Sequence, residues 1–228
     1  MAQTDTAAKK PASTPTPAKS TRGRRARPGA TSEVILDAAE LVFSRSGYAG
    51  ATVERIAKQA KCYESLIYYH FGSKDKLFAA VLQNAYRKLI EAEQRLVLDF
   101  TQPEQALSDI IRFLWQYYQD HPELIILLNT ENLLKGQHMA KLRSVSEYLA
   151  PAIAILQRTV ESGIEQGVFR PDIDVVDLYI SIMGLSYFYL SNRYTLSAFL
   201  DKNLMDEAER LHWSQVILDT IFASVRAR

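Results

Sequence analysis

From Thr31 onward the apolar residues of this 228-residue chain recur at helical spacing, and no run of β-branched residues alternates between turn signals as a strand requires. The fold class read from this pattern is all-α. Thr31 is placed to cap a first helix that buries Ile35, Ala38, Ala39 and Val42 on one stripe, carries Arg45 in its last turn and stops at Gly47. A second helix starts at Thr52, with Val53, Ile56, Ala57 and Ala60 on one face. A break at Lys61 to Tyr63 leads to a short helix through His70. Ser73 then caps a longer helix whose stripe of Leu77, Val81, Ala85, Leu89, Ala92 and Leu96 reaches toward the second half of the chain.

Pro103 suits a first helical turn, and Leu107, Ile110, Ile111 and Leu114 mark a helix that His121-Pro122 ends. Leu124 to Leu128 is apolar all round, so the next helix is expected to be buried on every side. A long helix carries Leu142, Val145, Leu149, Ile153, Leu156, Val160 and Ile164, with Pro151 as a kink and Gly167 near its end. Two further helices are expected, about Val175 to Leu200 and Glu207 to Arg226. No internal repeat points to a solenoid.

Composition changes this picture at one end. Residues 1–30 are rich in Ala, Pro, Thr, Lys and Arg with almost no large apolar side chains, and read as a disordered arm. The overall charge of +1 conceals an asymmetry: residues 1–30 hold seven basic and one acidic residue, residues 31–90 eight and six, and the remainder twelve and nineteen. The front of the chain can therefore meet a polyanion that the rear would repel. The expected division is a basic arm over 1–30, a helix-turn-helix unit over 31–78 and a larger helical unit over 79–228. A lone cysteine, Cys62, rules out an internal disulfide. The apolar run Val175 to Leu190 contains Asp177 and is too short to cross a bilayer, and no signal-like stretch follows the N-terminal basic residues, so a cytoplasmic protein without a membrane partner is expected.

The chemistry lies in the short helices. The segment from Ile56-Ala57 through Tyr68-Tyr69-His70-Phe71-Gly72-Ser73-Lys74-Asp75-Lys76-Leu77, with Phe43, Gly47 and Thr52 in register, resembles the signature of the TetR family of transcriptional regulators over about residues 32–80. Ile67 and Phe71, four apart, belong on the buried side of the short helix, with Cys62 anchoring the turn beneath them. A Tyr-Tyr-His-Phe run by itself also fits core packing. The resemblance implies that the chain binds double-stranded operator DNA, and that Tyr68, Tyr69 and His70 meet phosphates. Lys74 opens a helix whose unpaired N–H groups add a phosphate site. Thr52, Arg55 and Ser65 complete the expected DNA-contacting set.

The turn departs from the family pattern. Lys61 stands where Gly is usual, Tyr63 where a small capping residue is frequent, Glu64 where a basic or polar residue is common, and Leu66 where Thr is common. Tyr63, Glu64 and Leu66 are expected to face the major groove floor, Glu64 accepting from a cytosine amine or else pairing with Lys61 or Arg55. Arg22, Arg24, Arg25 and Arg27 read as a minor-groove arm, with a solvated tail as the alternative.

The same resemblance implies a homodimer built from the last two helices, and a second half that binds a small-molecule effector to release a repressor from a palindromic operator. His121-Pro122-Glu123, Glu131-Asn132, Gly167 to Pro171 and Tyr187-Phe188 are also similar to the pyrimidine-utilisation repressor subgroup of that family. Candidate effector contacts are Trp115, Tyr118, Asn129 and Asn132, followed by His138, Tyr148, Tyr187 and Arg193. An architectural, effector-independent DNA-binding protein is the alternative. His70, His121, His138 and His212 form no HExxH pair, and no GxSxG elbow or P-loop is present, so neither an enzyme nor a cofactor is expected. A metal sensor on His121, Glu131 and His138 lacks compact ligand spacing.

Overall fold

The computed structural model describes residues 31–141 and 145–227, with the side chains of all of these but 145–148. The basic arm, Leu142 and the side chains of Val145 and Tyr148 therefore lie outside the described residues. Among the described residues the regular structure is helical, apart from an isolated bridge between Phe169 and Arg226.

Polar caps set where the first helices begin. α1 (Ser32–Gly50) starts where Thr31 Oγ1 accepts the N–H of Val34 at 3.4 Å, and its path breaks at Gly47, which has φ 65° and ψ 176°. Thr52 caps α2 (Val53–Gln59), accepting the N–H of Arg55 at 3.2 Å. α3 (Glu64–Phe71) follows a tight turn, and Ser73 caps α4 (Lys74–Glu93) through the N–H of Lys76 at 3.2 Å. The remaining helices are α5 (Pro103–Asp120), α6 (Pro122–Leu133), α7 (Val145–Glu165), α8 (Val175–Ser191), α9 (Arg193–Leu200) and α10 (Glu207–Val225).

α1 packs on α2, α4 and α6, while α5 lies against α7 and α8, and α10 closes over α8 and α5. One continuous apolar core runs from Ile35 in α1 to Val225 in α10, so the short N-terminal helices rest on the larger bundle rather than hanging from a linker. The turn after α7 ties the far end together: Arg170 donates its N–H to Val225 O at 2.8 Å, and Ala227 donates to Val168 O at 3.0 Å.

Three expectations need correction. α4 stops at Glu93, leaving Leu96 half-buried in the connection to α5. The single helix expected over Val175 to Leu200 is two helices, broken at Asn192, where φ is −104° and ψ 8°. There the side-chain amide of Asn192 donates to Phe188 O at 2.9 Å, competing with the backbone for the same carbonyl. Leu149 is exposed rather than part of the buried stripe of α7. On α10, Leu218, Ile221, Phe222 and Val225 are buried within the protomer, and Leu211 is exposed.

Candidate nucleic-acid interface and effector cluster

The helix-turn-helix is built by α2, residues 60–63 and α3. α2 ends with the N–H of Cys62 on Ala57 O at 2.9 Å and that of Lys61 on Lys58 O at 3.2 Å, the paired bonds of a Schellman motif. Lys61 thus occupies the left-handed position, at φ 53°, that a glycine takes without strain. Cys62 is half-buried against the core, and burial pushes its thiol pKa up, which keeps it a packing group. Ile67 is buried and Phe71 partly so, which fixes the inner face of α3.

The outer face carries the residues expected to meet DNA. Tyr69 is 82% exposed, Tyr68 49%, and Tyr63, Glu64, Ser65 and His70 are also exposed. Leu66 departs from this: it is half-buried and packs against the core, so only part of it faces outward. Thr52 and Arg55 are exposed at the start of α2, with the Arg55 guanidinium donating to Gly50 O at 2.9 Å rather than to Glu64. Lys74 lies with its ammonium 4.4 Å from the centre of the Tyr48 ring, and the Tyr48 hydroxyl donates to Asp75. Burial and that bond push the Tyr48 hydroxyl up to about 12.

The candidate effector residues do not gather in one place. Trp115 stacks edge-on against Tyr189 at 5.6 Å, and Tyr189 lies over Trp213 of α10 at 4.9 Å. Tyr118 and Tyr187 do meet, their ring centres 6.4 Å apart, and Asn129 accepts from the hydroxyls of Tyr187 and Ser191. Asn132 is exposed, so it has no need of a buried partner. Arg193 donates to Leu190 O at 2.6 Å and stacks on Tyr194.

His138 is buried but turned toward the DNA-binding helices. Its ring lies 4.9 Å from Phe78 and 5.2 Å from Tyr48, and its Nδ1 is 2.8 Å from Glu131 Oε2. Glu131 Oε1 accepts the backbone N–H groups of His138 and Met139 at 2.8 and 2.9 Å, clipping the loop after α6 onto that helix. His121 is elsewhere, against Tyr117 and Glu123, and no group of three or more metal-ligating side chains occurs among the described residues.

Around Tyr118 the structure adds residues that the pattern reading passed over. Tyr86, Tyr179 and Glu93 share its electrostatic surroundings with Tyr187. Burial pushes the Glu93 carboxyl up to about 7 and the Tyr86 hydroxyl up to about 12. Tyr118 and Tyr179 are raised further, again chiefly by burial. Glu93 had a signal in the sequence: it is the next step by fours after Leu77, Val81, Ala85 and Leu89.

Residues 35–81 match the model of bacterial regulatory proteins of the tetR family, and residues 103–221 match a tetracyclin repressor-like C-terminal domain. The chain is 41% identical to the HTH-type transcriptional repressor NicS of Pseudomonas putida, over 86% of this chain and 92% of that one. It is 33% identical to an HTH-type transcriptional repressor of Streptomyces coelicolor, over 70% of this chain and 78% of the relative. Among solved structures, the Bacillus subtilis regulator FadR in complex with stearoyl-CoA superposes with a TM-score of 0.63 at 20% identity, covering 86% of this chain and 100% of that one. With both halves matched and the helix-turn-helix in place, this chain belongs to the tetR family of bacterial regulatory proteins.

Proposed function

We propose that the protein is a DNA-binding transcriptional repressor, a homodimer that leaves a palindromic operator when a small molecule occupies its second half. The observation that carries the reading is the outer face of α3, where Tyr68, Tyr69 and His70 stand exposed beside the Lys74 end of α4 while Ile67 holds the inner face. Exposed aromatic side chains cost solvation and serve as contacts, and a helix N-terminus with a lysine suits a phosphate. The names of the relatives support repression. We assign DNA reading to residues 31–78 and effector binding and dimerisation to 79–228, with α4 passing through the boundary.

Selection of binding sites from random DNA tests the reading. The native protein should enrich a palindrome, and Glu64→Gln should relax preference at one position of each half-site by a factor of about 5 to 150 without changing the spacing. Failure to enrich any two-fold site sinks the proposal. Arg22, Arg24, Arg25 and Arg27 are proposed to add phosphate contacts. Removing residues 1–27 should then flatten the log–log salt slope by about 0.9 for each phosphate left without its arginine, and an unchanged slope makes the arm a solvated tail.

A further inference from the structure

Between α5 and α10 lies a partly open cleft of about 580 Å3, within the size range of sites for small organic molecules. Phe113 and the buried Trp115 of α5, with Leu211 of α10, give it apolar walls, and Arg112 and Arg210 bring a guanidinium group from each helix. Gln119 holds Arg210 in place: its amide donates to Trp115 O at 3.2 Å, and its Oε1 accepts from Arg210 Nη1 at 3.1 Å. The Nε of Arg210 is buried and makes no hydrogen bond among the described residues. A buried donor without an acceptor is costly, and the edge that Nε shares with Nη2 is one that takes both oxygens of a carboxylate in parallel bonds.

The acidic side chains nearby do not supply that carboxylate. Glu209, next in sequence to Arg210, pairs with Lys202 instead. Glu207 lines the cleft but is exposed at the start of α10, and no ion pair joins it to either arginine. Two guanidinium groups against one carboxylate leave the cleft positive, so an ammonium ligand would be repelled. A divalent metal ion would need more carboxylate oxygens than Glu207 offers. A bare inorganic anion would satisfy the charge and leave the Trp115 and Phe113 walls unused, whereas a carboxylate on an apolar or aromatic body uses both.

We propose that the effector is a small organic carboxylate bound in this cleft, its charge held between Arg210 and Arg112 and its apolar or aromatic body against Trp115 and Phe113. This rests on the reading of the second half as an effector domain and names its ligand class. The Arg210 guanidinium turns about its Gln119 bond to present the Nε edge, and Arg112 closes on the carboxylate from α5. Because α10 packs on α8 as well as on α5, a ligand drawing α10 toward α5 shifts it against α8.

The experiment is calorimetric titration of the full chain with benzoate and indole-3-acetate, against benzamide and tryptamine as neutral and cationic molecules of like shape and against inorganic phosphate. Each titration is repeated on Arg210→Gln, Arg210→Lys and Arg112→Gln. At least one carboxylate should bind at millimolar concentration or below, and more tightly than benzamide, tryptamine or phosphate. Arg210→Gln should weaken it at least about ten-fold, with Arg210→Lys recovering part of the loss, since lysine keeps the charge without the fork. Arg112→Gln, on an exposed side chain, should weaken it several-fold. Unchanged operator affinity without ligand shows that a variant folds; if Arg210→Gln does not, because the Gln119 contact is lost, Arg210→Lys and Arg112→Gln decide. No carboxylate binding up to about 10 mM, phosphate or tryptamine bound as tightly, or binding indifferent to both arginines overturns the proposal. Arginine-dependent carboxylate binding that leaves operator affinity unmoved upholds the site and sinks instead the reading of this half as an effector switch.

Discussion

Glu93 ends an otherwise apolar stripe on α4, and a carboxyl placed there costs the fold its charge. Its pKa is raised from 4.5 to about 7 in the folded chain, so the folded state binds the proton more tightly than the unfolded one. The stability that Glu93 contributes is therefore greatest below pH 4.5, falls as pH rises, and is lost above about pH 7. A tenfold difference in proton affinity corresponds to about 1.4 kcal/mol, so Glu93→Gln should gain on the native chain by about 3 kcal/mol at pH 8 and by little at pH 4. Urea unfolding at the two pH values checks this, and an equal gain at both would mean that Glu93 is solvated. Lys61, in the turn before α3, and Lys74, at the opposite end of the same helix as Glu93, show how local chemistry carries over to the interface. The first holds a left-handed turn against its own Cβ, and the second keeps its charge on the Tyr48 ring beside α3.

Among elements, the starts of α1, α2, α4, α5 and α6 were legible because their signals are local. Thr31, Thr52, Ser73, Pro103 and Pro122 each act within one turn of where they stand. The break between α8 and α9 was not, because Asn192 carries no obligatory break and acts only by bonding back to Phe188. Nor was the destination of α10: an apolar face tells that something covers it, not whether the cover is α5 and α8 of the same protomer or a second copy. The outer face of α3 was readable from its buried partners Ile67 and Phe71, whereas the cluster around Tyr118 was not, because Glu93 and Tyr179 are brought together by tertiary packing. The close of α7 gives a sharper test of packing. A Cβ on Gly163 would lie 2.0 Å from the Phe169 ring, and Phe169 is buried at the turn that holds the chain end. Gly163→Ala should cost about 1 to 3 kcal/mol through overpacking, read as a lowered urea midpoint with an unchanged m-value. A neutral effect would mean that the ring has room to swing.

For the whole molecule, one stripe of the apolar surface left open lies on α8, beside further exposed side chains such as Tyr194 and Phe199 on α9. Val176, Ile180 and Phe188 are more than half exposed and recur at intervals of four with Gly184, which has open space over its Cα, and Leu211 of α10 is also exposed. A stripe of this kind with a glycine in it suits close approach of the same helix from a second copy. Ile180→Glu should give a sedimenting monomer at micromolar concentration and at least about a hundred-fold weaker operator binding, since each half-site must then be held alone. A dimer of native affinity would place the interface elsewhere. Between the two ends of the molecule, α6 touches both kinds of site: Asn129 holds Tyr187, and two residues on Glu131 holds His138 against Tyr48 and Phe78. α4 spans the same distance as one rod, its 20 residues measuring about 30 Å from Lys74 to Glu93. A rod of that length rocked by about 5° at the Glu93 end shifts its other end by about 2.5 Å. Rocked in opposite senses in two copies, it changes the distance between the α3 helices by about 5 Å, a sizeable misfit against the roughly 34 Å repeat of the major groove. A ligand a few atoms across can thus be measured out in base-pair steps.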